Sequence, residues 1–343
     1  MPVPSGPLTR PINTLPLELS LPAPLPILLT LLLWLAAGLT SLFSLLGFVS
    51  CRDWKLELFS HFRLQYALLL GLCAMGFILV RSLLGILFSL AFLGGSLGLI
   101  LPVYRRPARC HGERKSARLY FANILGTNTN YIRLKQSILA AEADIVVLAE
   151  VRPNHLQALL PALSGYPYQF TQPDSDNFGI ALFSRLPFES AKALAFDERC
   201  TPALVAQFHF DGIPFTLLGI HPNPPKSQAK AARRDHQLAR TAEFIAKQPG
   251  ELILVGDLNT TSWSHAFHEL RHSTRLLDSR QGFGLQPSWP TGNPLLRIPI
   301  DHALHTKGIC IKARKMGQPT GSDHLPVIVD FSMVSKIPAQ EKS

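Results

Sequence analysis

The sequence predicts an α+β domain, a four-layer α/β sandwich of two packed sheets with outer helices, preceded by three transmembrane helices. Long uncharged runs fill the chain before residue 105, short apolar runs alternate with amphipathic segments after residue 117, and a cluster of bases lies between. Helices that fall between groups of strands are the pattern of sheets that bury one another's faces.

The membrane region comes first. No charge occurs in the 33 residues from Leu19 to Cys51, the 17 from Leu64 to Val80 or the 23 from Ser82 to Tyr104. A spanning helix needs roughly 17 to 25 apolar residues, so all three runs qualify, the second only just. A cleavable signal peptide fits poorly, because Met1 to Ser20 is rich in proline and its one base is Arg10. Next, Arg105, Arg106, Arg109, Arg114 and Lys115, with Arg118 just beyond, mark a basic linker that would rest on lipid headgroups. The expected domains are therefore a membrane region over 1–104, a linker over 105–117, a catalytic domain over 118–332 and a tail over 333–343.

Within the third region, strands are predicted at 119–124, 144–148, 179–184, 204–210, 215–220, 252–255, 300–304 and 326–331. Helices are predicted at 131–143, 154–163, 227–247 and 264–272 from apolar residues at 3.6-residue spacing.

Composition bounds what such a chain does. With 47% hydrophobic and 16% charged residues, intrinsic disorder is excluded as the main state. The 33 Lys and Arg against 23 Asp and Glu give +10; five bases and three acids precede residue 105, leaving +8 to the remainder. An anionic partner is favoured: nucleic acid, a phosphorylated metabolite or an anionic bilayer. Five cysteines, none at C-x-x-C spacing, argue against a disulfide scaffold or a cysteine zinc site.

Chemistry concentrates at strand ends. Asn123 closes the first strand, Glu150 follows the second, and His221 follows the fifth. Asp257 and Asn259 follow the sixth, Asp301 opens the seventh, and Ser322-Asp323-His324 precedes the eighth. Singly, each has an ordinary explanation as a cap, turn or core residue. Together, three acids (Glu150, Asp257, Asp323) and two amides (Asn123, Asn259) are hard oxygen donors that suit Mg²⁺ or Mn²⁺. They point to metal-assisted attack on a phosphate ester, with Asp301 and His324 as a carboxylate and imidazole able to pair. His265, His268 and His272 recur at helical spacing, but a solvated helix face explains them better than a metal site. Lys226, Lys230, Arg233 and Arg234 either steer an anion or form the wet side of their helix. Trp289 either stacks on a substrate or packs on the sheet.

Four blocks resemble the signatures of the endonuclease/exonuclease/phosphatase superfamily: Asp144-Ile-Val-Val-Leu-Ala-Glu-Val, Val255-Gly-Asp-Leu-Asn259, Ile300-Asp-His302 and Gly321-Ser-Asp-His-Leu-Pro326. The segments Asp176-Asn177-Phe-Gly-Ile-Ala-Leu-Phe-Ser-Arg185 and His221-Pro-Asn-Pro-Pro225 are similar to a bacterial branch with about three N-terminal membrane helices. The resemblance implies Glu150 as principal metal ligand with Asn123 beside it, and Asp323 holding the same or a second ion. It implies that Asp257 orients or deprotonates water, that Asn259 contacts the phosphate, and that His324, polarised by Asp301, stabilises pentacovalent phosphorus. His221 would serve the opposite oxygen or the leaving group, and Asn177 would add a polar contact.

The expected function is thus a membrane-anchored metal-dependent phosphodiesterase, with nucleic acid slightly ahead of phospholipid as substrate. The alternatives are a hydrolase of lipid or soluble phosphate esters and a tethered non-catalytic binding protein of the same fold. The basic loop and linker share one side of the membrane, which predicts a catalytic domain in the cytoplasm; the resemblance implies a bacterial inner-membrane protein, and free cysteines would agree.

Overall fold

A computed structural model describes residues 24–49, 53–105, 115–197 and 201–334. Most of the basic linker, the prolines before residue 24 and the tail from 335 lie outside these residues. Three long helices open the chain: α1 (Pro24–Leu46), α3 (Arg63–Leu79) and α4 (Leu83–Ile100), with the short α2 (Trp54–Leu58) between the first two. Ala37, Cys73 and Phe77 pack with Trp34 at the centre of this unit, while Leu31, Leu35, Leu72 and Leu87 face outward.

Among the described residues the expectation of three spans is corrected to two candidate spans. The stretches Ile27–Val49 and Leu83–Tyr104 are long and apolar enough to cross a bilayer; α3, at 17 residues, is not. Its rise of about 25 Å falls short of a hydrocarbon core of about 30 Å. Arg63 starts the helix in a buried position, bonded to the Ser44 carbonyl at 2.7 Å, and Arg81 ends it in a left-handed turn.

Two mixed six-stranded sheets follow. The first runs β11-β12-β1-β2-β4-β3 and comprises β1 (Ala117–Asn123), β2 (Ile145–Ala149), β3 (Tyr168–Gln172), β4 (Ile180–Ser184), β11 (Ile309–Met316) and β12 (Val327–Met333). The second runs β5-β6-β7-β8-β10-β9: β5 (Phe188–Ala195), β6 (Pro202–Phe210), β7 (Ile213–Ile220), β8 (Glu251–Asp257), β9 (Leu277–Asp278) and β10 (Asp301–His305). Each sheet has one parallel pair at its centre, β1 with β2 and β7 with β8.

Because side chains alternate along a strand, each central strand feeds two cores. Phe121, Val147, Leu182, Leu217 and Val255 fill the space between the sheets. Tyr120, Leu148 and Phe183 meet Leu134 and Leu159 of α5 (Tyr131–Ala140) and α6 (Pro153–Leu159). Leu218 and Leu254 meet Leu238 and Phe267 of α7 (Gln228–Ala246) and α8 (His265–Thr274). Helix, sheet, sheet and helix form the four layers. One cysteine expectation changes as well, since Cys310 is disulfide-bonded.

Candidate active site

Parallel pairing brings strand ends to one level. Asn123 is in register with Ala149, so Glu150 lies one residue beyond it, and Asp301 faces Asp257 across the antiparallel β8–β10 ladder. Gly256 permits the approach of β7 to β8, because a Cβ there would stand 2.1 Å from the Ile220 carbonyl oxygen. Beyond the strands the backbone turns sharply: Glu150 (φ 62°) and Asn259 (φ 50°) both adopt the left-handed region. Such conformations in non-glycine residues persist where the surroundings enforce them, often at functional sites.

The two sheets meet through Asn123. Its amide Nδ2 donates to Glu150 Oε1 at 2.9 Å and to Asp257 Oδ2 at 3.1 Å, while its oxygen accepts from the Leu125 N–H. Glu150 Oε2 accepts from the Gly126 N–H at 2.8 Å. His221 Nε2 stands 3.7 Å from Glu150 Oε1 and 3.6 Å from Asp257 Oδ2, and its Nδ1 donates to the Asn177 carbonyl at 3.1 Å. His324 Nδ1 donates to Asp301 Oδ2 at 2.8 Å, leaving Nε2 3.7 Å from Asp257 Oδ2. Asn259 donates through its backbone N–H to Asp257 Oδ1 at 2.9 Å and through Nδ2 to the Pro222 carbonyl.

Electrostatics follow from this packing. Burial opposes a charge on His324, but Asp301 and then Asp257 overcome it and push the ring up to about 10. Burial likewise works against His221, and its hydrogen bond and charge interaction with Asp257 still raise it. For Asp257 burial favours the neutral acid, yet the charges on His324 and His221 hold the carboxyl down at about 2. A charged His324 and a second ring, His221, whose protonated form is favoured by the same carboxylate, thus stand on either side of Asp257.

With Asn123 and Asp301 behind them, Glu150, His221, Asp257, Asn259 and His324 line a pocket of about 610 Å³. Asp323 sits at its rim, its Oδ2 accepting from Trp289 Nε1 at 2.9 Å. Asn177 also lines it, held through Oδ1 by Arg152. Lys226, Lys230 and Arg233 reach the pocket, whereas Arg234 is fully buried and neither steers an anion nor faces water. His265 lines a separate hollow beside Asp235 and Glu269. Sequence reasoning missed Arg152 and Asn223 in the pocket, along with Leu58 and His61 from the N-terminal unit. Asn223 lies within the quoted His221–Pro225 run without having been singled out, and no local motif marked the other three.

The donor chemistry fits a hard divalent cation. Asp257, Asp301 and His324 offer donor atoms within 4.8 Å of one another, and Asp301 Oδ1 is buried without a hydrogen-bond partner. Glu150 adds a further buried carboxylate beside Asp257.

Comparison with known proteins agrees with this arrangement. Residues 120–324 match the profile of the "Endonuclease/Exonuclease/phosphatase family". The structure resembles TDP2 from D. rerio complexed with a single strand DNA product (TM-score 0.56, 18% identity, 64% of this chain and 100% of that one). It also resembles an endonuclease/exonuclease/phosphatase from Bacteroides vulgatus (TM-score 0.54, 19% identity, 64% of this chain and 100% of that one). Identities this low establish the fold alone. No curated protein matches the chain significantly.

Proposed function

Because the chain belongs to the endonuclease/exonuclease/phosphatase family, we propose that it is a membrane-anchored, divalent-metal-dependent phosphodiesterase. The observation that carries this reading is the convergence of Glu150, Asp257, His221 and His324 on one pocket from the strand ends of both sheets.

Mg²⁺ or Mn²⁺ would be held by Glu150, with Asp323 at the rim holding the same or a second ion. Asn123 would join them only by turning its amide over, since it now presents N–H groups to the carboxylates. His324, whose Nδ1 donates to Asp301, keeps its Nε2 for the substrate in this reading. When bound, the cation supplies Lewis-acid polarisation of a phosphoryl oxygen.

The remaining work belongs to side chains. Asp257, held at about 2, is too weak a base to keep a proton and instead orients the attacking water through a lone pair. His324, fixed by Asp301, directs its Nε2 proton at the oxygens that gain charge as the pentacovalent phosphorus forms. His221 stands across Asp257 from it and serves the opposite oxygen or the leaving group. Asn177 holds His221 through its carbonyl, and Asn259 contacts the phosphate.

Nucleic acid leads as substrate. Arg152, Lys226, Lys230 and Arg233 ring the pocket, the chain carries +10, and the similar TDP2 was crystallised with DNA. Helices α1 and α4 would anchor the protein, with the shorter α3 packed against both at the same depth, since the segment before α3 and the domain after α4 meet on one side. The basic linker favours a domain facing the cytoplasm of a bacterial inner membrane. A second reading, a domain facing an oxidising compartment, is favoured by the Cys310 disulfide, and a reporter fused after Ser343 separates the two. The purified full chain assayed on DNA, RNA and phospholipid, with Mg²⁺ and with chelator, tests the activity. Absence of metal-dependent hydrolysis on every substrate would overturn it.

A further inference from the structure

The segment from Asp53 to Arg63, between α1 and α3, touches the catalytic domain at the loop that leaves β8. Glu57 is buried there, its Oε2 accepting from Arg234 Nη2 at 2.5 Å and its Oε1 from the Thr260 hydroxyl at 3.1 Å. Arg234 passes the contact on, because its Nη1 donates to the Asn259 carbonyl at 3.4 Å. The next residue along is held too: His61 Nδ1 and the Thr261 hydroxyl are 3.0 Å apart. Three consecutive residues, Asn259, Thr260 and Thr261, are therefore gripped directly or through Arg234 by a segment some 200 positions earlier in the chain. Asn259 is also the residue in the left-handed conformation, which surrounding contacts must enforce. From the same segment, Leu58 and His61 line the pocket that Asn259 also lines.

We infer that the N-terminal helical unit is a working part of the active site: Glu57, acting through Arg234 and Thr260, is a positioning residue for Asn259, and Leu58 and His61 wall the substrate pocket. This rests on the reading of Asn259 as a phosphate contact. A residue misplaced by about 1 Å loses catalysis out of proportion to any loss of binding. The buried pair also explains why Arg234 lies inside a helix whose neighbouring bases Lys230 and Arg233 reach the pocket.

The test uses the full chain in detergent with Mg²⁺ and bis(p-nitrophenyl) phosphate, reading kcat, KM and Tm together. Glu57→Gln keeps the side-chain shape and should lower kcat about tenfold while changing KM less than about threefold. Thr260→Val, which removes the hydroxyl that Glu57 and Ser264 share, should change kcat in the same direction by less. In the double variant Glu57→Leu with Arg234→Met, both buried charges are removed together, so Tm should recover. A purely structural role predicts that kcat recovers with Tm, whereas positioning predicts that it stays about tenfold down. Wild-type kcat and KM in a folded Glu57→Gln chain, or full recovery of kcat in the double variant, would overturn the inference. A wild-type chain without hydrolysis would instead overturn the reading on which it rests.

Discussion

Replacing Asp301 with Asn removes one charge and almost no volume. The carboxylate accepts from His324 Nδ1 at 2.8 Å in a fully buried site, and it is the largest influence raising that ring. The rise from 6.5 to about 10 corresponds to roughly 5 kcal/mol of preference for the charged imidazole, at about 1.4 kcal/mol per pH unit. Without Asp301, burial opposes the charge and only Asp257 and Asp323 support it, at 3.7 and 4.0 Å. The ring should then titrate close to its ordinary value. Its charged fraction would fall to about 3% at pH 8, a loss of roughly thirtyfold, and to about a quarter at pH 7. Near pH 5.5 the variant and wild type should converge. A profile of kcat/KM against pH, measured with saturating Mg²⁺ on the full chain, reads this directly. Parallel profiles offset by a constant factor, with Tm lowered to match, would refute the assignment of His324 as an imidazolium held by Asp301.

Glu150→Gln should reduce metal-dependent turnover by roughly a hundredfold or more with little change in Tm, since it exchanges one ligand oxygen for an amide of the same size; full activity in the folded variant would sink the proposed metal assignment. Burial pulls His61 and His302 down to about 3, so both are neutral when folded but take up protons once unfolded below about pH 6.5. Stability should therefore fall as pH drops from about 6.5 towards 3, by on the order of several kcal/mol, and His302→Gln should flatten the slope; urea melts at pH 7 and pH 4.5 check the sign. If single-stranded nucleic acid crosses the basic rim, log K should fall linearly with log salt, and Lys230→Ala with Arg233→Ala should reduce the slope by about 1.4. An unchanged slope would place the strand elsewhere.

The strands legible in the sequence are the interior ones, because a strand buried on both faces reads as an unbroken apolar run. The four that went unpredicted, β3, β5, β9 and β11, are the two edges of each sheet. Residues such as Lys192 in β5 and Lys312 in β11 break the apolar pattern, as edge strands commonly do. The strand-end acids and histidines were legible for the same reason the interior strands were, since each abuts an apolar run. Hydropathy overestimated α3, whose 17 residues pass a composition test that their rise does not meet. Arg234 was misread because helical spacing places it beside exposed bases, while its partner Glu57 lies 177 positions away. Contacts of that range leave no local periodicity to read.

Strand order has a consequence for synthesis. β1, among the earliest elements of the domain to be made, lies between β2 and β12, and β12 is the last strand to be made. Until residues 322–333 emerge, β1 has a bare edge and the pocket lacks His324, the ring that closes against Asp301. A nascent chain anchored as proposed above would hold a nearly finished domain without the imidazole assigned to complete catalysis. On the proposed reading, hydrolysis would have to wait for the final strand to seal the sheet.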